Sequence, residues 1–310
     1  MIPSNFSSRI APLFLSAFAW LAFSSTQVSH AQDAPPAGEE QMTPEQLQKA
    51  FMDHVEAFGW QREGVGDLKG EAEIEVPTGF RFTGPDGARQ LMEFYGNPPS
   101  DREFGLIAPE NLEWCVLFEF DKSGYVKDDE KDSIDADKLL QGMRDNQNAA
   151  NEYRRQQGLD ELTITGWARE PYYNEETNNL EWALNLQSSE GGQTVNYNTR
   201  LLGRYGVMES VLICDPSALA TVLPTYQDLI AGYHYKDGHL YSEYKKGDKI
   251  AKYGLTALIV GGGAAVAAKT GLFAALFKII AKGGKAVIVG IVALFGGIVS
   301  AFKRLFGRSE

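Results

Sequence analysis

The chain has 310 residues, 29 of them Lys or Arg and 41 Asp or Glu, for a net charge of −12. The charge is divided sharply: residues 32–244 carry net −22, and residues from Lys245 onward carry net +9. A domain that acidic excludes nucleic acid as a partner, because phosphate recognition needs the opposite sign.

Residues 1–31 read as a secretory signal peptide. Arg9 precedes an apolar run from Ile10 to Phe23, and the small residues Ser29 and Ala31 fit a cleavage site ahead of Gln32. The run is fourteen residues long, short of the about 20 that span a bilayer. Residues 32–43, rich in Pro, Ala and Glu, form a flexible leader. Thr43-Pro44-Glu45 starts a helix, with Thr43 as cap and Pro44 in its first position. Its apolar stripe is Leu47, Ala50, Phe51, Val55 and Phe58.

Alternation predicts a strand over 70–76, with Ala72, Ile74 and Val76 on one face, continued at Phe80 and Phe82. A helix runs from Pro85 through Tyr95 until Gly96-Asn97-Pro98-Pro99 stops it. Strands are predicted over 103–108 and 112–120, and a long helix over 133–157, capped by Asp132 or Ser133. Four strands follow, 161–168, 180–187, 193–203 and 206–214, whose short connectors imply an antiparallel meander. A helix over 217–231 follows, and Asp237-Gly238 signals a hairpin between Tyr233/Tyr235 and Leu240/Tyr241. The fold class is therefore α+β, a mainly antiparallel sheet with several helices, plus a C-terminal α-helical membrane anchor. The acidic ectodomain is expected over 44–244.

The basic end divides into three parts. Residues 245–285 form an amphipathic or re-entrant membrane-associated segment, 286–302 an uncharged transmembrane helix, and 303–310 a short basic tail. A second span over 255–268 is the alternative topology. Ala293, Gly297 and Ala301 form a strip of small residues suited to homo-oligomer packing. The lipid bilayer is the expected partner of this end. The layout places the protein at a bacterial cytoplasmic (inner) membrane, its ectodomain on the periplasmic or extracytoplasmic side.

No motif carries a cofactor, a metal or a catalytic centre. Residues 263–270 approach a phosphate-binding loop, but Ala268 stands where its second glycine belongs. His234 and His239 are two ligands where a metal site needs three or four. The acidic run from Asp128 lacks the glycine and glutamate of an EF-hand, holding Ser133 and Leu139 there. Trp167, Tyr172 and Tyr173 make an aromatic loop that serves either the core or a partner surface, with Asp128 and Asp129 as further surface candidates. Cys115 and Cys214 lie in apolar runs; an exported location permits a bridge, and burial as two small hydrophobes is the other reading.

Several stretches carry a family resemblance. They include Gly124-Tyr125-Val126-Lys127-Asp128-Asp129, Gly166-Trp167-Ala168, Leu180-Glu181-Trp182-Ala183 and Val195-Asn196-Tyr197-Asn198. Further along are Leu202-Gly203-Arg204-Tyr205-Gly206, Tyr235-Lys236-Asp237-Gly238-His239-Leu240-Tyr241 and the run from Gly247 to Leu255. The sequence resembles the uncharacterised membrane-anchored bacterial proteins grouped as domain of unknown function 2167, from about residue 55 to its C-terminus. The resemblance implies an exported domain with a C-terminal anchor, and it transfers no catalytic role. The expected function is a non-enzymatic binding or assembly protein of the envelope with an unknown protein partner. The alternatives are an envelope hydrolase using carboxylates and a cation-dependent binding module.

Overall fold

The computed structural model describes residues 43–98, 100–131 and 134–260. The signal, most of the leader, the span at 286–302 and the Ala293, Gly297 and Ala301 strip lie outside the described residues. Helix α1 (Pro44–Val55) begins as its sequence dictates. The Thr43 hydroxyl accepts from the Gln46 amide, and the Thr43 amide donates 2.7 Å to the Gln46 side chain. Phe51, Val55 and Phe58 are buried, Phe58 from the single 3₁₀ turn that follows. Ala50, expected on this stripe, is exposed, because it lies about 100° around the helix from Phe51 and the buried face is narrow.

Among the described residues, ten strands follow with four further α-helices. They are β1 (Val65–Leu68), β2 (Ala72–Glu75), β3 (Phe80–Thr83), α2 (Pro85–Phe94), β4 (Glu103–Pro109), β5 (Cys115–Asp121) and α3 (Ala136–Gln156). Then come β6 (Leu162–Asn174), β7 (Asn179–Ser188), β8 (Gln193–Leu202), β9 (Val207–Cys214), α4 (Leu219–Ala231), β10 (Tyr233–Tyr235) and α5 (Leu255–Ile259). Seven strands form one sheet in the order β3-β4-β5-β9-β8-β7-β6, and three form another, β1-β2-β10. Every pairing between these strands is antiparallel. The fold is thus α+β with mainly antiparallel sheet, as the sequence indicates.

Strand alternation gives the large sheet two differently covered faces. On one, Phe118, Tyr197, Met208 and Leu212 pack against the small sheet (Leu68, Ala72, Ile74) and α4 (Val222, Tyr226, Leu229). The other face is covered in two places. Near β4 and β5 it carries α1 and α2 through Phe51, Leu91 and Leu106. Near β6 and β7 it carries α3 and α5, with Trp182, Leu184, Leu139 and Leu258 at the contact.

Three local expectations are corrected. α3 starts at Ala136 with Asp135 as its cap, the Lys138 amide donating 3.1 Å to Oδ1; Asp132 and Ser133 lie outside the described residues. β6 continues past Pro171 to Asn174, so Trp167, Tyr172 and Tyr173 stand on a strand and not in a loop. Proline is tolerated there because β6 is an edge strand broken by register shifts. β10 does not form a hairpin with Leu240 and Tyr241; it pairs with β2, Tyr233 opposite Ile74. The bare Gly203 explains this: a Cβ there would meet the Tyr235 ring at 2.6 Å, and the Tyr235 hydroxyl donates 2.7 Å to the Leu201 carbonyl.

Residues 245–260, read from the sequence as the start of the membrane segment, pack onto the domain. Leu255, Leu258 and Ile259 are buried, Glu130 accepts from the Thr256 amide and hydroxyl, and the Asn146 side chain donates 3.0 Å to the Val260 carbonyl. No helix among the described residues is long and apolar enough to cross a membrane. Cys115 and Cys214 are free and buried. Cys115 pairs in register with Ile213, so Cys214 points to the opposite face and no bridge can form without moving the backbone.

The two sheets meet at Phe82, whose ring lies against Gly66 of β1 and Gly105 of β4. A Cβ on Gly66 would come within 2.6 Å of the ring. Gly66→Ala is therefore expected to cost about 1–3 kcal/mol by overpacking, read as a lower midpoint in urea unfolding; an unchanged midpoint would contradict this contact.

Candidate functional site

A cleft of about 640 Å³ opens between the sheet, α4, β10 and residues 237–242. Its floor is made where β7 and β8 run side by side and send Glu181, Thr199 and Leu201 to the same face. Tyr226 and Ile230 of α4 form one wall, and Tyr233 and Tyr235 of β10 another. The β6–β7 turn closes the rim with Asn174, Asn178 and Asn179.

Glu181 is the centre of this floor. It is 8% exposed, and its Oε2 accepts two phenol hydrogens, from Tyr197 at 2.5 Å and from Tyr172 at 2.6 Å. Cross-strand register produces this convergence: Tyr172 lies directly opposite Glu181, and Tyr197 comes from the strand on the other side. Burial first, and then the bond to Glu181, raise both tyrosines above the ordinary phenol range, so they remain neutral donors. The Arg169 guanidinium lies 4.3 Å from the centre of the Tyr172 ring and 3.5 Å from the Tyr197 hydroxyl. Beside them, the Tyr226 hydroxyl donates 2.6 Å to Thr199 and lies 3.1 Å from Ser210.

The residues singled out in the sequence are distributed around this floor. Tyr172 bonds to Glu181 from the neighbouring strand but is not among the residues that line the cleft. Tyr173 points to the opposite face and donates 3.2 Å to Asp128 and 3.2 Å to Asn178. Burial, followed by the Asp128 charge, raises its pKa. Asp129 is exposed in the turn that follows Asp128. Trp167 packs on the core under α3, its Nε1 buried without a hydrogen-bond partner among the described residues. The structure thus joins Asp128 to Tyr173, puts Trp167 in the same apolar layer as Tyr173, and turns Tyr172 to the other face. His239 bonds to Glu71 at 2.6 Å, and no group of three or more potential metal ligands occurs among the described residues.

Sequence reasoning missed Glu181, Tyr197 and Tyr226 as site residues. One signal was present: Glu181 is a carboxylate between Leu180 and Trp182 in a strand otherwise apolar from Leu180 to Leu184. Such a residue is costly to bury unless it is hydrogen-bonded.

The model of the family described as protein of unknown function (DUF2167) matches residues 61–295. No curated protein sequence matches the chain. Among solved structures, the solution structure of cyanobacterial PsbP (CyanoP) from Synechocystis sp. PCC 6803 is similar at 12% identity. That match covers 57% of this chain and 93% of the other, with a TM-score of 0.35.

The two phenols should differ in their contribution to stability. Tyr197 is fully buried and Tyr172 only partly. Tyr197→Phe is expected to lose about 1.5–3 kcal/mol, the range for a hydrogen bond to a charged group, and Tyr172→Phe less. Urea unfolding of the two variants checks the order, and equal losses would contradict it.

Proposed function

The chain belongs to the DUF2167 family of proteins of unknown function, and on that premise we propose that its α+β domain binds a ligand or partner in the Glu181 cleft and does not catalyse a reaction. The observation that carries this reading is the locking of Glu181 by two neutral tyrosines. A general base must be free to take a proton, and a nucleophile needs activation. Here one oxygen of the carboxylate holds two donors, and the phenols are driven away from ionisation. The thiols are equally unsuited: burial raises Cys115 to about 12 and Cys214 to about 11, far from the low values of reactive cysteines. What remains is a concave, hydroxyl- and amide-rich surface with aromatic walls, the composition of a recognition site.

We place this domain outside the cytoplasm, held by its C-terminal segment. The support is in the sequence: the apolar run after Arg9, the seventeen uncharged residues 286–302 and the −22 against +9 charge division. An acidic domain is repelled from anionic headgroups and a basic foot is attracted to them. A single span would leave Lys303, Arg304 and Arg308 in the cytoplasm, in keeping with the positive-inside rule.

Purified full-length protein, given chromogenic esters, glycosides and phosphate esters together with peptides, is expected to turn over none of them. Turnover that disappears in Glu181→Gln would replace the binding reading with a hydrolytic one. A periplasm-dependent phosphatase fused after Glu310 is expected to be inactive, and activity there would exclude the single-span topology.

A further inference from the structure

The cleft has a charge imbalance. Glu181 is 8% exposed, yet among the described residues no Lys, Arg or His forms an ion pair with it. Both tyrosines bond to Oε2, and Oε1 has no donor among the described residues. Arg169 reaches the carboxylate only through the Tyr197 hydroxyl, which bonds to Oε2, and makes no ion pair with it; like Tyr172 and Tyr197, it stands outside the cleft lining. The described lining contains a second carboxylate, Asp237, one imidazole, His234, and neither Lys nor Arg. A largely buried carboxylate with no direct ion pair is costly, and the two phenol donors, both on Oε2, leave Oε1 open to a charged partner.

From this geometry we infer that the cleft binds an organic cation bearing a primary ammonium group, with Glu181 as its counter-ion. The inference rests on the binding reading above and names the class of ligand. An ammonium group brings three donors and a positive charge, so it satisfies the spare Oε1 and neutralises the site together. The walls suit the rest of such a molecule. Tyr226, Tyr233, Tyr235 and Tyr241 line the cleft, and aromatic faces attract cations while their edges pack against methylene groups. The volume of about 640 Å³ admits a small organic molecule rather than a bare ion. The field of a domain with net −22 enriches cations around it and disfavours anionic competitors.

The test is calorimetric titration of the full-length protein in detergent with cadaverine, whose two ends are ammonium groups, and with pentane-1,5-diol, its neutral counterpart. Cadaverine is expected to bind and the diol to bind at least about tenfold more weakly. Glu181→Gln keeps an oxygen for the two tyrosines but loses the charge, and it is expected to weaken cadaverine by a similar factor while the thermal midpoint stays close to that of the parent. Failure of cadaverine to bind, or undiminished binding by a folded Glu181→Gln, would overturn the inference. Diol binding as tight as that of cadaverine would also overturn it, and would leave the cleft as a site for neutral ligands. Only the turnover experiment touches the binding reading itself. The comparison of diamine with diol on the parent protein needs no variant, so it decides the matter even if Glu181→Gln does not fold.

Discussion

The pairing of β5 with β9 holds the molecule together. Without it there are two separate antiparallel meanders, β3-β4-β5 and β6-β7-β8-β9, divided in sequence by α3. Closing so long a connection costs chain entropy before any contact forms. The return is a continuous ladder from Cys115 opposite Ile213 to Asp121 opposite Val207. That register places Glu119 directly opposite Glu209, an unfavourable match of like charges. Arginines resolve it. Arg102 lies 2.9 Å from Glu209 and 3.8 Å from Glu119, and Arg200 lies 3.1 Å from Glu209. Burial still raises the pKa of Glu119, against the lowering effect of Arg102. This charged belt crosses the middle of the helix-covered face, between the two apolar pads.

Where the sequence carries a local instruction, the structure follows it. Thr43 and Pro44 set the start of α1, and alternation at Ala72, Ile74 and Val76 identifies the face of β2 that enters the core. The misses share one physical cause: the deciding contact is remote in sequence. β1 contains Gly66 and Asp67, both poor strand formers, and exists because Gly66 makes room for Phe82. β10 has three residues and no pattern of its own; its partner is β2. β6 outlasts Pro171 because an edge strand has no second neighbour to receive the missing hydrogen bond. The site was illegible for the same reason. Glu181, Tyr172 and Tyr197 are each unremarkable in their own strands, and only the lateral order β6-β7-β8 brings them to one oxygen atom.

Two neighbouring tyrosines show how much depends on that lateral order. Tyr172 shares the face of Glu181 and bonds to it, while Tyr173, one residue on, faces the other side and bonds to Asp128. Asp128 ends the stretch that begins at Gly124, which is itself tied down. A Cβ on Gly124 would lie 2.5 Å from the Lys249 carbonyl, Tyr125 bridges to Ile250, and the Tyr125 ring stacks on Tyr241 at 4.5 Å. Tyr241 is also part of the cleft lining. Arg204 adds a further tie, donating to Asp248 at 2.7 Å and 3.0 Å. The cleft wall and the run of residues 245–250 are therefore fastened to one set of contacts.

A slip of one residue between β6 and β7 would reverse these assignments. It would turn Tyr173 toward Glu181 and Tyr172 toward Asp128, because side chains alternate with a period of two. Both would still be tyrosines, so composition alone does not fix the register. Their surroundings do. Tyr173 packs with Leu180 and Trp182 in the apolar layer under α3, where Tyr172 with its Arg169 partner would strand a cation against hydrophobic side chains. Trp167 and Tyr173 lie opposite Leu184 and Leu180 on the apolar layer, while Tyr172 lies opposite Glu181 on the other face. The chemistry of the cleft is thus decided on the opposite side of the sheet, by what the apolar layer will not accept.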